Sequence, residues 1–180
     1  MEVIKNNSLH LKQSIVTIGA FDGIHIGHQS LIKKAVRRAR QCNISSVVYT
    51  FDPPPRAFFQ NQMVLTSVEE KVHFLKKLGI DYVIVARFDK DYLAKSAGDF
   101  LKELEALSPK EIWVGPNFQF GKGKRGTTED LAARFNTFIH PLVKCANGQT
   151  VSSTRIRNLL HQQKEHLANE LLGRELFASV

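Results

Sequence analysis

The sequence predicts an α/β domain built on a doubly wound parallel sheet. Three observations lead there. Short β-branched runs alternate with amphipathic helical segments from residue 14 onward. The strand segments are nearly continuous apolar runs, as expected when helices cover both faces of a sheet. The chain has 180 residues, 43% of them hydrophobic, which suits one packed domain and argues against disorder.

Ser14 to Gly19 (SIVTIG) ends at glycine and reads as the first strand. From His28 to Cys42 the spacing is helical, with Leu31, Ile32, Ala35, Val36 and Ala39 on one face. Lys33, Lys34, Arg37, Arg38 and Arg40 occupy the other faces, where solvent is their expected partner. Ser46 to Phe51 is a second strand, stopped by Pro53, Pro54 and Pro55. Ser67 is placed to cap a helix with Glu69 and Glu70 in its first turn and Lys76, Lys77 and Gly79 at its end. Ile80 to Val85 is a third strand, Ala97 to Leu107 a helix, and Glu111 to Gly115 a fourth strand. Thr128 is the expected cap of a helix reaching about Arg134, and Thr137 to Val143 reads as another strand. Ser152 or Ser153 opens the last helical region.

The formal charge is +8, from 25 Lys+Arg against 17 Asp+Glu, and it points to an anionic partner: nucleic acid, a membrane surface or a phosphorylated small molecule. No apolar run approaches the roughly 18–20 residues that span a bilayer. Met1 to Lys12 has no apolar core of a secretory signal, and Cys42 and Cys145 cannot form a disulfide framework, so a reducing cytoplasm is the expected location.

Ligands of doubly wound sheets bind beyond the carboxyl ends of the strands. That rule selects four loops, 19–28, 51–59, 115–126 and 150–157, and the unusual residues cluster in them. In the first, His25 and His28 flank Gly27 where strand becomes helix, with Gly23 and Asp22 just before. Glycine lets backbone approach a ligand, a helix N-terminus suits phosphate, and imidazoles can donate to phosphate oxygens. A zinc site is the competing reading, but neither cysteine is near and no third ligand is local. In the second, three prolines set a stiff, extended backbone beside Phe51, Phe58, Phe59 and Arg56, which suits a planar phosphorylated ligand. In the third, Asn117 offers an amide to phosphate or Mg²⁺. Phe118 and Phe120 alternate, so one is expected in the core and the other in a pocket. Gly121, Gly123 and Gly126 with Lys122, Lys124 and Arg125 make a basic loop free to move. In the fourth, Ser152, Ser153 and Thr154 precede Arg155 and Arg157 at a helix start, a pattern open to simple capping or to phosphate binding.

His25-Ile26-Gly27-His28 is identified as the HIGH signature of nucleotidylyltransferases and class I aminoacyl-tRNA synthetases. The wider string from Gly19 to His28, GAFDGIHIGH, resembles the adenylyltransferase module of prokaryotic FAD synthetases. The second loop is similar to that family's F-x-P-H-P element, with Pro54 in place of the histidine. The third is similar to its V-G-x-N/D-F-x-F-G motif and the fourth to its S-S/T-T-x-x-R element, in family order across most of the chain.

This resemblance implies a Rossmann-like domain of the HUP type over residues 1–160. Residues 161–180 would form a helical extension resembling the junction to a riboflavin kinase module, whose own motifs are missing here. It implies adenylyl transfer from ATP to FMN with pyrophosphate as the second product, assisted by Mg²⁺. FMN would come from a riboflavin kinase module or enzyme, and no role for nucleic acid or membrane is implied. His25, His28, Asn117 and Arg157 would be catalytic. Gly19, Ala20, Phe21, Asp22, Gly27, His28, Ser153, Thr154 and Arg157 would hold ATP. Phe51, Pro53, Pro55, Phe59, Asn117 and Phe120 would hold FMN, with Asn117 also the Mg²⁺ contact. Asp22 has two open roles, holding the turn or the metal. Two alternatives remain: a related nucleotidylyltransferase acting on pantetheine phosphate or a sugar or alcohol phosphate, and an inactive nucleic-acid-binding or regulatory relative resting on the basic 33–40 helix.

Overall fold

In the computed structural model, which describes residues 1–5, 8–60 and 62–175, six parallel strands form one sheet in the order β1-β4-β3-β2-β5-β6. The strands are β1 (Glu2–Ile4), β2 (Ser14–Ile18), β3 (Ser45–Asp52), β4 (Tyr82–Arg87), β5 (Pro109–Val114) and β6 (Thr137–Ile139). From central β2 the chain steps outward through β3 to β4, then returns to lay β5 on the other side. The direction of winding therefore reverses between β2 and β5, and the crevice above their carboxyl ends is where such sheets hold ligands. The loops that follow β2 and β5 carry the HIGH string and the N-F-x-F-G string.

Alternating side chains build the two faces, as the two-residue period of a strand dictates. Val16, Ile18, Val47, Tyr49, Ile84, Ile112 and Val114 pack with Phe100, Leu101 and Leu104 of α5 (Ala97–Glu105) and Leu131 of α6 (Thr128–Arg134). Ile15, Val48, Val83, Val85 and Trp113 pack on the opposite face with Leu31, Ile32, Ala35 and Ala39 of α1 (Ile26–Cys42) and Leu75 of α3 (Val68–Lys77). Every residue of β2 is buried, which is why that strand reads as a continuous apolar run.

The helices start where their caps say. Ser67 and Glu70 form a reciprocal capping box on α3, with Ser67 N–H to Glu70 Oε2 at 2.8 Å and Glu70 N–H to Ser67 Oγ at 3.2 Å. For α6 the cap is Thr127, one residue before the expected Thr128, because Asp130 is the N3 residue that can answer it. The last strand ends at Ile139 instead of Val143. His140 N–H still bonds Val114 O at 2.8 Å, and Pro141 then has no N–H to continue the ladder.

Two expectations about charge and proline are corrected. Three of the basic residues on α1 are engaged instead of merely solvated. Arg38 Nε donates to both Glu111 oxygens at 3.1 and 3.0 Å, Lys34 lies 5.1 Å above the Trp113 ring, and Arg40 bonds Gly79 O at 3.1 Å. The proline run is not extended: the Asp52–Pro53 bond is cis and the backbone bends at Pro53. Pro55 opens a short helix, α2 (Pro55–Gln60), since proline at the first helical position gives up an N–H that would be unpaired anyway.

The final elements are α7 (Ser153–His161) and α8 (Glu165–Leu172). Ala168, Leu171 and Leu172 share a cluster with Leu65, Val151 and Ile156, and Gln29 Nε2 reaches back to Leu172 O at 2.9 Å. Arg174 Nη2 donates to Gly23 O at 2.9 Å while its guanidinium lies 4.2 Å from the Phe74 ring. The boundary expected after residue 160 falls in the last turn of α7, and residues 165–174 fold back against the first loop. The remaining five residues of the expected extension, 176–180, lie outside the described residues. No helix among the described residues is long and apolar enough to cross a membrane.

Candidate active site

The first loop turns tightly beneath its own aromatic ring. Phe21 and Ile24 both have positive φ, +47° and +38°, and both side chains are buried. His25 is the N-cap of α1, its Nδ1 accepting the His28 N–H at 3.2 Å. That bond leaves the His25 proton on Nε2. The two imidazoles stack with centroids 3.6 Å apart, and Phe21 meets His28 edge-on at 5.3 Å. A side chain at position 27 would sit 3.1 Å from His25 Nδ1, so glycine here is the room that lets the first histidine lie against the helix start.

Burial holds both histidines neutral. The His25 ring is pushed down to about 4, and His28 well below its ordinary value, with His25 and Lys71 adding to the effect. A neutral imidazole keeps one ring N–H, so each can offer a hydrogen-bond donor at neutral pH. His28 Nδ1 is a buried polar atom without a protein partner. A base whose folded pKa is depressed stays unprotonated in the fold while the unfolded chain takes up a proton, so stability falls as pH drops below about 6.5. Thermal melts between pH 7 and pH 4.5 should show a progressive loss that is reduced in His25→Gln.

Asp22 is engaged within the fold. Its carboxylate pairs with Arg157 Nη2 and accepts Leu65 N–H at 2.9 Å, and both members of the pair are almost wholly buried. Burial pushes the Asp22 carboxyl up, against the downward pull of Arg157, the Leu65 N–H and Lys71. Arg157, expected at the ATP phosphates, is thus largely occupied: Nε donates to Met63 O at 2.7 Å, Nη2 serves Asp22, and only Nη1 is without a partner. Ser153 Oγ donates to Asp22 O at 2.8 Å, and Thr154 Oγ1 accepts from Arg56 Nη1 at 2.6 Å. The fourth loop is therefore bolted to the first through Asp22 and to the second through Arg56. Ser152 caps α7 by taking Arg155 N–H at 3.2 Å. A cavity of about 480 Å³ borders Thr154, Arg157, Met63 and Gln60.

Neither α1 nor α7 carries an acidic residue in its first turn, whereas α3, α5 and α6 all do. Of the helices that follow the expected ligand loops, α6 answers its N-terminal field with its own acids, whereas α1, α7 and the short α2 have no acidic side chain in the first turn.

The residues expected to hold FMN differ from expectation in detail. Phe51 is buried, packed on Phe88 and on Tyr92 of α4 (Lys90–Ala94) at 5.9 and 5.6 Å. Phe58 and Phe59 stand out from α2, 39% and 58% exposed, and both lean on Phe88. Phe88, just past the end of β4, joins this aromatic group, and nothing local in the sequence marks it. It is the shared floor under the exposed rings. Pro53 and Pro55 are half-buried beside them.

In the third loop Phe118 and Phe120 do not face opposite ways. Their rings stack at 5.6 Å, because the chain turns at 115–118, closed by Phe118 N–H on Gly115 O at 3.2 Å, instead of extending as a strand. Phe120, expected at FMN, is buried against Phe100 and covered by Gly126, where a Cβ would come within 2.5 Å of its ring. Phe120 and Gly126 exchange two backbone bonds, and Lys122 N–H bonds Lys95 O at 2.8 Å, so the glycines hold a closed turn. Asn117 is exposed at its shoulder. No three His, Cys, Asp or Glu side chains among the described residues could share a metal.

Known proteins resemble this chain over most of its length. Residues 7–155 match the FAD synthetase family. The chain is 44% identical over 168 residues to a putative bifunctional riboflavin kinase/FMN adenylyltransferase of Geobacillus thermodenitrificans, covering 93% of this chain and 94% of that one. It is 33% identical over 168 residues to the bifunctional riboflavin kinase/FMN adenylyltransferase of Escherichia coli, covering 88% of this chain and 54% of the relative. The chain thus spans nearly all of one relative and about half of the other. A solved structure described as a macrolide-efflux protein from Streptococcus pneumoniae superposes with a TM-score of 0.84 at 31% identity, over 97% of this chain and 60% of that one. Pantothenate synthetase of Thermus thermophilus superposes at 0.55 with 15% identity over 96% of this chain and 81% of that one, a likeness of fold alone. With its HIGH pair, its switch-point crevice and a family match across most of its length, this chain belongs to the FAD synthetase family.

Proposed function

We propose that the chain joins the adenylyl group of ATP to FMN, releasing pyrophosphate. The observation that carries this reading is the stacked, neutral His25–His28 pair at the start of α1, beside a stiff proline turn with exposed aromatic rings. One end of that arrangement suits phosphates and the other a planar apolar ring.

In the reaction a terminal phosphate oxygen of FMN attacks the α-phosphorus of ATP. The bond from that phosphorus to the oxygen bridging to the β-phosphate breaks, and pyrophosphate leaves. No covalent enzyme intermediate is needed, so positioning and charge stabilisation carry the catalysis. His25 Nε2–H and His28 donate to phosphate oxygens. The N-termini of α1 and α7, with Ser153 and Thr154, hold the ATP phosphates, and Phe58, Phe59 and Phe88 receive the flavin. The donor set fits Mg²⁺ held mainly by substrate phosphates and water, with the Asn117 amide oxygen as the protein contact, since Asp22 is committed to Arg157. When bound, that ion screens phosphate charge and eases pyrophosphate departure. The reaction belongs in the cytoplasm, where ATP and FMN are at hand, and a riboflavin kinase activity supplies the FMN.

Incubation with ATP, Mg²⁺ and FMN should yield FAD, and parallel incubations with pantetheine phosphate or a sugar phosphate should not. Absence of FAD overturns the reading. Arg56 bridges the flavin-side and phosphate-side loops at Thr154. Arg56→Ala should lower kcat/KM for ATP by about tenfold, roughly 1.4 kcal/mol, with Arg56→Lys in between. Because the side chain is exposed, its melting temperature should change little.

A further inference from the structure

We infer that Lys71 is a positioning residue for adenylyl transfer: its ammonium group locks the ends of β2 and β3 so that the first loop presents its backbone to the nucleotide. The inference rests on the adenylyl-transfer reading above. Lys71 belongs to α3, outside all four ligand loops, yet its side chain runs inward and is 1% exposed. A lysine this deeply buried is rare, and an apolar residue of the same length would be cheaper to bury. Something must use the charge.

Nζ donates to Ala20 O at 2.9 Å, to Phe51 O at 3.3 Å and to Thr50 Oγ1 at 3.4 Å. Thr50 Oγ1 in turn donates to Ala20 O at 3.0 Å. Ala20 opens the HIGH loop, and Phe51 opens the proline turn. The amine is thus the tie between the phosphate side and the flavin side of the site. An ammonium group has three protons for these three acceptors, and a neutral amine has two. The Ala20–Phe21 peptide is trans, so its C=O and N–H point in opposite directions. With Ala20 O held by Lys71 and Thr50, the Phe21 N–H is turned away from α3, and no backbone acceptor among the described residues takes it. It is a backbone donor in the same loop as the stacked histidines.

The charged and titratable groups around the amine are Asp22 on the first loop, Asp52 at the end of β3 and the neutral His28 on α1, with Arg157 of α7 behind Asp22. Burial lowers Lys71 to about 8, against the opposing pull of Asp22 and Asp52. The protonated form is complete below that value and is lost as pH rises through it. Stability has the opposite sign. Between about 8 and the ordinary lysine range the unfolded chain binds the extra proton, so this group's contribution to stability rises with pH as activity falls.

The test is the pH profile of kcat/KM for ATP in wild type and in Lys71→Met, with ATP affinity measured by calorimetry. Wild type should lose activity on an alkaline limb near pH 8. Lys71→Met, folded by circular dichroism, should be at least about tenfold slower at pH 7, bind ATP more weakly and lack that limb. Wild-type kcat/KM in the variant, or an unchanged alkaline limb, overturns the inference. Should Lys71→Met not fold, a wild-type profile flat from pH 7 to 9.5 overturns it, and a limb near pH 8 supports it. If wild type makes no FAD, the adenylyl-transfer reading falls. The ATP affinity of Lys71→Met against wild type then still decides whether Lys71 shapes a nucleotide site.

Discussion

Replacing His28 by alanine is expected to lower FAD formation from ATP and FMN by more than about tenfold, above roughly 1.4 kcal/mol of barrier. Loss of a single preorganised donor to developing charge reaches about 10²–10³ in other active sites, which sets the upper range. His28 is the cleaner of the two histidines to test. His25 also caps α1 through Nδ1, so its removal mixes about 1 kcal/mol of helix capping with the chemistry. His28 supplies only its backbone N–H to that cap, which alanine keeps. The variant should retain its melting temperature to within a few degrees while pyrophosphate release falls. Wild-type turnover by His28→Ala would remove the pair from the mechanism. His28→Gln, which keeps a neutral donor, should recover part of the rate. A requirement for imidazolium would predict no recovery, but the ring is held neutral by burial beside His25 and Lys71.

The parts of this molecule that a sequence shows are those decided locally. The two-residue and 3.6-residue periods mark β2 and α1, and the Ser67–Glu70 capping box marks the start of α3. The HIGH string shows itself because Gly27 and both histidines lie within one turn of helix. What stays hidden is decided across the fold. Asp22 and Arg157 are 135 residues apart, and Arg56 and Thr154 are 98 apart, so no spacing rule pairs them. Lys71 looks like any lysine on an amphipathic helix until α3 is packed under the first two loops. A strand's alternation predicts opposite faces for Phe118 and Phe120, and the turn at 115–118 removes the basis for it. β1 is three residues at the sheet edge, too short for any pattern to stand out.

Arg157→Ala should destabilise the protein by about 3–5 kcal/mol, because it leaves the Asp22 carboxylate buried without its partner. For a chain of this size that corresponds to a melting point roughly 6–20 °C lower, and the urea midpoint should fall with little change in slope. The same variant should also lose activity, and two sources for that loss are distinguishable: the free Nη1 acting on a phosphate, or the bolt that Nη2 and Nε form between the fourth loop, Asp22 and Met63 O. Asp22→Asn separates them. It keeps the guanidinium and an oxygen to accept Leu65 N–H, but it weakens the charged bolt. If Asp22→Asn is nearly as slow as Arg157→Ala, the arginine works mainly by holding the two phosphate-side helices in register. If Asp22→Asn keeps most of the activity while Arg157→Ala does not, Nη1 reaches the nucleotide. The double variant Asp22→Asn/Arg157→Ala, set against the two single variants, gives the size of the coupling. It should be more stable than Arg157→Ala alone, since the uncompensated charge is gone. A double variant no more stable than Arg157→Ala would show that the lost packing, and not the orphaned carboxylate, is what the single substitution costs.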